Sequence, residues 1–276
     1  MAHIEFRSMR IALVDSGIGM LSTAAALHAA RPDADLFLSM DPDHMPWGPR
    51  TPDEVIGRAL AGARAAERAS DGSLDAVVVP CNTASVHVLT ELRTEFEPAV
   101  PVIGTVPAVK PAAAAGEPIA VWSTEATTRS SYQRRLIETF ARDVAVTPVA
   151  CVGLAEAVES ADPERITEAL AYAAALTPPD VRAVVLGCTH YDLVSKQIFD
   201  VLRGRATLFT AAGAVAAQAL RRIEADGGPA ARPGPVADRL GRVQVLASGR
   251  PSDIPPAALT YAAGRALRDG ARSTPA

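Results

Sequence analysis

The chain has 276 residues, an apolar fraction of 49% and a formal net charge of −4, which suits one large domain or two small ones with an ample core. The acidic balance argues against nucleic acid or an anionic membrane as the main partner. No apolar run approaches the ~20 residues of a membrane helix, and no basic stretch followed by an apolar one opens the chain, so the expectation is a cytoplasmic protein.

Short apolar segments alternate with longer Ala-rich ones. In chain order, strands are expected near 10–15 (RIALVD), 35–39, 75–80, 101–104, 118–122, 144–149, 182–187 and 206–210, with a weaker one at 242–247. Helices are expected near 19–30, 53–69, 83–96, 127–141, 162–175, 190–203, 212–225 and 256–267, and a helix is the simplest reading of Ala112–Ala115. Strand–helix alternation with β-branched strands predicts an α/β fold with mainly parallel sheets. The Gly/Pro-rich stretch 224–241 reads as a loop, and the chain from about Asp269 reads as a frayed tail.

Four strand ends run straight into helix-start residues: VDSG (14–17), PCNTAS (80–85), WSTEATT (122–128) and GCTH (187–190). Ser, Thr, Asn and Asp there predict helix caps. Ligands of open α/β sheets bind beyond the carboxyl ends of the strands, so the four segments predict one functional rim, with helix N–H groups suited to a carboxylate.

Three cysteines, Cys81, Cys151 and Cys188, with no C-x-x-C pair, argue against a disulfide scaffold or a zinc module. A cysteine ending a buried strand is ordinarily a small hydrophobe, and Cys151, among apolar and small neighbours, is assigned to packing. Cys81 and Cys188 differ. DAVVVPCNTAS (75–85) and RAVVLGCTHYD (182–192) share one outline, an apolar run ending in a cysteine and polar residues. Two thiols on matched elements suit inversion of a carbon centre. One, as thiolate, removes a proton from one face, and the other, as thiol, delivers a proton to the opposite face. A pyridoxal phosphate enzyme needs a Schiff-base lysine. The two lysines, Lys110 and Lys196, have no phosphate-binding loop beside them, so a cofactor-free mechanism is expected, with the carboxylate held by amides and hydroxyls.

These residues resemble the aspartate/glutamate racemase family, its glutamate-racemising members most closely. The matching segments are IALVDSGIG (11–19), MPWG (45–48), VVVPCNTAS (77–85), PVIGTVP (101–107), STEATTRSSY (123–132), VACVGLAEAVE (149–159) and VLGCTHYDL (185–193), in the family's order over roughly residues 10–225. The resemblance implies an isomerase that interconverts L- and D-glutamate without cofactor or metal and supplies D-glutamate for peptidoglycan. Cys81 and Cys188 would be the acid/base thiols, working on the D and L faces respectively. Asp15 would assist Cys81, and His190 and Glu159 would assist Cys188, with Glu156 an alternative to Glu159. Asp15, Ser16, Trp47, Gly48, Asn82, Thr83, Thr124, Thr127, Thr189 and His190 would bind substrate. The fold implied is two pseudo-symmetric α/β domains, 1–104 plus 210–268 and 105–209, with the site between them and a tail at 269–276. A homodimer acting on a small-molecule amino acid, without nucleic acid or membrane, is implied as well.

Four positions depart from the family pattern. Trp47 stands where Tyr is usual, Gly19-Met20 replaces a glycine pair, Asp192 stands where a proline commonly follows GCTHY, and TAAG (210–213) lacks a polar anchor. Trp47 motivates a second reading, a racemase or epimerase of another acidic or modified amino acid. A cysteine hydrolase built on Cys188–His190 or Cys81–Asp15 leaves the other cysteine unexplained. A binding protein leaves both motifs unused.

Overall fold

The structure is a computed structural model that describes residues 8–228 and 240–271. Most of the stretch expected to be a loop, and the last five residues of the expected tail, lie outside them.

Among the described residues, ten strands form two sheets. The first holds β1 (Arg10–Val14), β2 (Asp35–Met40), β3 (Ala76–Val79), β4 (Val102–Gly104), β9 (Val243–Ala247) and β10 (Arg250–Ser252), in the order β10-β9-β2-β1-β3-β4. The second holds β5 (Ile119–Ser123), β6 (Val146–Ala150), β7 (Ala183–Leu186) and β8 (Thr207–Phe209), in the order β6-β5-β7-β8. Every pair is parallel except β9–β10. The first four strands of each sheet thus follow one scheme, second-first-third-fourth. The third strand of each scheme ends in a cysteine turn.

Helices cover the sheets; β2, β3, β5 and β7 are buried along their whole length, and β1 from Ile11 onward. That is why these strands read as continuous apolar runs rather than alternating ones. The largest core cluster is shared between the sheets. Leu13, Ile18 and Leu36 belong to it together with Trp122, Leu186 and Tyr191.

Several expected helices are broken. The helix expected at 83–96 is α3 (Asn82–His87) and α4 (Leu89–Phe96), meeting at Val88. That at 127–141 is α6 (Glu125–Arg129) and α7 (Ser131–Phe140), because Ser130 is extended and caps α7 through Gln133 N. That at 190–203 is α10 (Thr189–Asp192) and α11 (Ser195–Val201). The segment at 256–267 is a 3-10 turn over Pro256–Thr260, then α13 (Ala262–Ala271), which runs past Asp269 into the expected tail. The helix expected within Ala112–Ala115 is α5 (Val109–Ala113). The remaining expected helices are α1 (Leu21–Ala30), α2 (Pro52–Ala69), α9 (Pro163–Ala175) and α12 (Ala212–Ala225). Two elements carry too little periodicity to be read from sequence. The seven-residue α8 (Leu154–Ser160) lies between left-handed Gly153 and Ala161. β10 is a charged, Pro-containing edge strand.

Candidate active site

The carboxyl ends of both sheets border one cavity of about 370 Å³. All residues singled out from sequence line it except Glu159: Asp15, Ser16, Trp47, Gly48, Cys81, Asn82, Thr83, Thr124, Thr127, Cys188, Thr189 and His190. Glu156 and Cys151 line it as well. Cys151 also belongs to the shared core, as its packing assignment requires. Lys110 and Lys196 lie outside the lining.

The capping expectation holds at one of the four strand ends. Thr124 caps α6, accepting from Thr127 N. The other three differ. The N-cap of α3 is Cys81 and that of α10 is Cys188, and neither makes a side-chain cap bond. Asp15 caps nothing: its Oδ1 accepts from Ser16 N at 2.6 Å. The polar groups after β1, β3 and β7 are therefore not consumed by helix ends, and they turn to the cavity and to each other. The two cysteines share one backbone conformation, φ −137°, ψ 118° at Cys81 and φ −136°, ψ 132° at Cys188. Each thiol is thus launched from a strand end in the same way.

Their surroundings differ. Cys81 is buried and Cys188 half-buried. The polar neighbour of the Cys81 thiol is the Asp15 carboxyl, whose Oδ2 receives no N–H or O–H donor. Burial raises the Asp15 pKa to about 6, against the opposing pull of His190 and Cys81. Burial also pushes the Cys81 thiol well above its ordinary value, and the Asp15 charge adds to the rise.

Cys188 Sγ lies 3.8 Å from His190 Nδ1, and His190 Nε2 lies 2.7 Å from Glu159 Oε2. Burial disfavours the imidazolium, but Cys188 and Glu159 together outweigh it and hold the His190 pKa well above the ordinary value. Glu159, on α8, lies outside the lining but reaches the site through His190. It also accepts from Ile18 N at 3.0 Å, so it clamps the first-sheet turn as well. Close approach explains two glycines. A Cβ at Gly17 would sit 2.2 Å from Glu159 Oε2, and one at Gly19 would sit 2.6 Å from Thr189 Oγ1.

Other bonds fix the walls. Asn82 Nδ2 donates to Gly187 O at 2.8 Å, tying one cysteine turn to the other, while its buried Oδ1 has no protein partner. Trp47 is buried, and its indole N–H donates to Asp41 Oδ2 at 3.1 Å. With that donor taken, Trp47 offers the cavity an apolar face. Asp41 Oδ1 in turn accepts from Ser248 Oγ, on the turn joining β9 to β10, at 2.8 Å. Asp192 lies at the far end of α10. Burial pushes its carboxyl up to about 7.

Acid/base groups carried by both sheets and lining one cavity can move protons on one bound molecule. The Asp/Glu/Hydantoin racemase family profile matches residues 16–220. The chain is 35% identical over 220 residues to the glutamate racemase of Herpetosiphon aurantiacus, covering 78% of this chain and 85% of that protein. It is 36% identical over 222 residues to that of Roseiflexus sp., covering 79% and 80%. Among solved structures it resembles Escherichia coli glutamate racemase in complex with L-glutamate and the activator UDP-MurNAc-Ala. The TM-score is 0.74 and the identity 27%, over 94% of this chain and 92% of that one. A glutamate racemase isoform of Bacillus anthracis gives a TM-score of 0.68 at 27% identity, over 87% and 88%.

Proposed function

Because the chain belongs to the Asp/Glu/hydantoin racemase family, we propose that it interconverts L- and D-glutamate by two-thiol proton transfer at Cα. The observation that carries this reading is the pair of cysteine turns of one backbone conformation lining a single cavity.

Substrate sits with Cα between Cys81 and Cys188. For one enantiomer Cys81, as thiolate, takes the α-proton, leaving the electron pair on Cα conjugated with the carboxylate. Cys188, as thiol, then gives its proton to the opposite face. The reverse reaction exchanges these roles, so neither thiol is consumed. Asp15 is the proton-transfer partner of Cys81. His190, held by Glu159, is the partner of Cys188. The hydroxyls and amides of Ser16, Asn82, Thr83, Thr124, Thr127 and Thr189 bind the carboxylates and the ammonium group, and those bonds strengthen as charge develops. Trp47 and Gly48 wall one end.

The product, D-glutamate, is supplied to peptidoglycan synthesis. A cytoplasmic location, a homodimer and a division of the chain at about residues 104 and 210 belong to the same reading, and they rest on the family resemblance.

Proton NMR and circular dichroism of the purified protein with L- or D-glutamate in D2O, without added cofactor, test it. Loss of the α-proton signal together with decay of optical activity is the expected result. Exchange of aspartate or another amino acid with glutamate inert would keep the chemistry and overturn the substrate. No exchange with any amino acid would overturn the two-thiol reading.

A further inference from the structure

The wall that carries Trp47 belongs to the segment between β2 and α2, which holds no helix or strand of its own. It contributes Pro46, Trp47, Gly48 and Pro49 to the cavity lining. None of these side chains is an acid or a base. The proton-moving groups all come from the turns after β1, β3 and β7 and from α8, so this segment is left to face the part of a bound molecule that does not react.

A segment without a backbone ladder needs other bonds to hold a large side chain still, and Asp41 supplies them. Its carboxylate accepts from three donors, Ser248 Oγ at 2.8 Å, His44 Nδ1 at 3.0 Å and Trp47 Nε1 at 3.1 Å. Its own amide donates to Ser16 O at 3.1 Å, and the Ser248 amide donates to Met40 O at 2.8 Å. Ser248 Oγ also accepts from Asp43 N at 3.2 Å. The carboxylate is thus anchored to the turn after β1 and to the β9–β10 turn, and the indole hangs from it. Packing alone has no need of such a charge. Trp122 is buried just as deeply, and its indole donates to a neutral hydroxyl, Thr177 Oγ1. The second side-chain torsion of a tryptophan is broad and roughly two-fold. The bond to Asp41 selects the setting in which the N–H points away from the cavity and carbon faces it.

Resting on the racemase reading above, we propose that Asp41 is a positioning residue for substrate selection. It locks Trp47 as a fixed apolar wall, and that wall limits the length of the amino-acid side chain the site accepts. Asp41→Ala releases the ring. Asp41→Asn keeps an acceptor for the indole, with its amide turned to Ser248 and His44. Trp47→Phe removes the N–H and so removes what Asp41 holds.

The variants are compared with wild type in steady-state racemisation of glutamate and of 2-aminoadipate, its homologue one methylene longer. Asp41→Ala is expected to lower the kcat/KM preference for glutamate by about 10-fold, within the range that one methylene is worth in an apolar pocket. The change should lie in KM more than in kcat, because the thiols and their partners are untouched. Asp41→Asn should keep the preference within about 3-fold of wild type. In the Trp47→Phe background, Asp41→Ala should add no further change. An unaltered preference in Asp41→Ala, or an equal loss in the Trp47→Phe background, would overturn the proposal. If Asp41→Ala does not fold, Ser248→Ala takes its place, with an expected loss of about 3-fold from one missing hydrogen bond; an unaltered preference there would overturn the proposal equally.

A second readout does not depend on turnover. The chain has two tryptophans, so protein labelled with 5-fluorotryptophan gives two 19F resonances, and Trp47→Phe identifies that of Trp47. Asp41→Ala should move or split the Trp47 resonance and leave that of Trp122 in place, while Asp41→Asn should move neither. If the wild type racemises no amino acid, the racemase reading fails on its own, and the hold on Trp47 is judged here. A Trp47 resonance unmoved by Asp41→Ala would sink it.

Discussion

The two cysteine turns each follow a buried strand and share a backbone conformation and a place in the sheet order, yet each is served by different partners. Cys81 takes its neighbour from the adjacent central strand, because Asp15 follows β1. The equivalent tip of β5 is Ser123-Thr124, which is spent on the hydroxyl contacts and cap of α6. Cys188 therefore draws on His190 in its own turn and on Glu159 from α8. The sheet order repeats, but the chemistry on it does not. A carboxyl raised by burial faces one thiol, and a charge-supported imidazole faces the other.

The largest expected effect tests whether the two sides are equal in necessity. Cys81→Ala and Cys188→Ala should each lower racemisation of glutamate by at least about 10²–10⁴-fold, the range of a lost general acid or base. Cys151→Ala should keep most activity, since its thiol packs in the core. A variant of Cys81 or Cys188 that still racemises, measured by circular dichroism, would break the symmetry of roles.

The next effect separates the partners by pH. Asp15 titrates at about 6 rather than 3.8 in the folded state. As pH rises through that window the unfolded chain releases its proton first, so stability falls. Above pH 6 the loss is constant at about 3 kcal/mol. Asp15→Asn should therefore raise the urea midpoint relative to wild type at pH 7.5, with the gap closing by pH 4, while activity falls. A gap that does not vary with pH would refute this account. His190 works in the opposite sense. Its raised pKa contributes stability that is fully present below the ordinary histidine value and is lost only as pH rises through the higher folded one.

The smallest expected effect concerns the clamp between the sides. Gly17→Ala forces the Glu159 carboxylate away from Ile18 N and His190. A cost of about 1–3 kcal/mol, the usual scale of an overpacked contact, should appear in chemical denaturation. Alkylation should change at Cys188 and not at Cys81. A change confined to Cys81 would contradict the assignment of Glu159 to the other side.

Much of this was legible in the sequence because strand tips announce themselves. Apolar β-branched runs ending in DSG, PCNT and GCTH gave the parallel sheets and brought the polar residues to one rim. What was not legible came from contacts distant in sequence. The capping roles expected of Asp15, Asn82, Thr83 and Thr189 were wrong, because only the fold shows that the cysteines occupy the cap positions after β3 and β7 and Gly17 the one after β1. Glu159 rested on resemblance alone, since α8 is too short for a periodic signal and its bond to His190 spans 31 residues.

The order of strands also has a consequence for how the chain is made. β9 pairs with β2 along Leu36–Met40, but more than 200 residues separate them, and the entire second sheet is synthesised in between. Until residues 243–247 leave the ribosome, β2 remains an open and largely apolar edge, the kind of surface on which nascent chains pair wrongly. Completion of the first sheet, and with it the Asp41–Ser248 support behind Trp47, is thus deferred until the whole second sheet has been made.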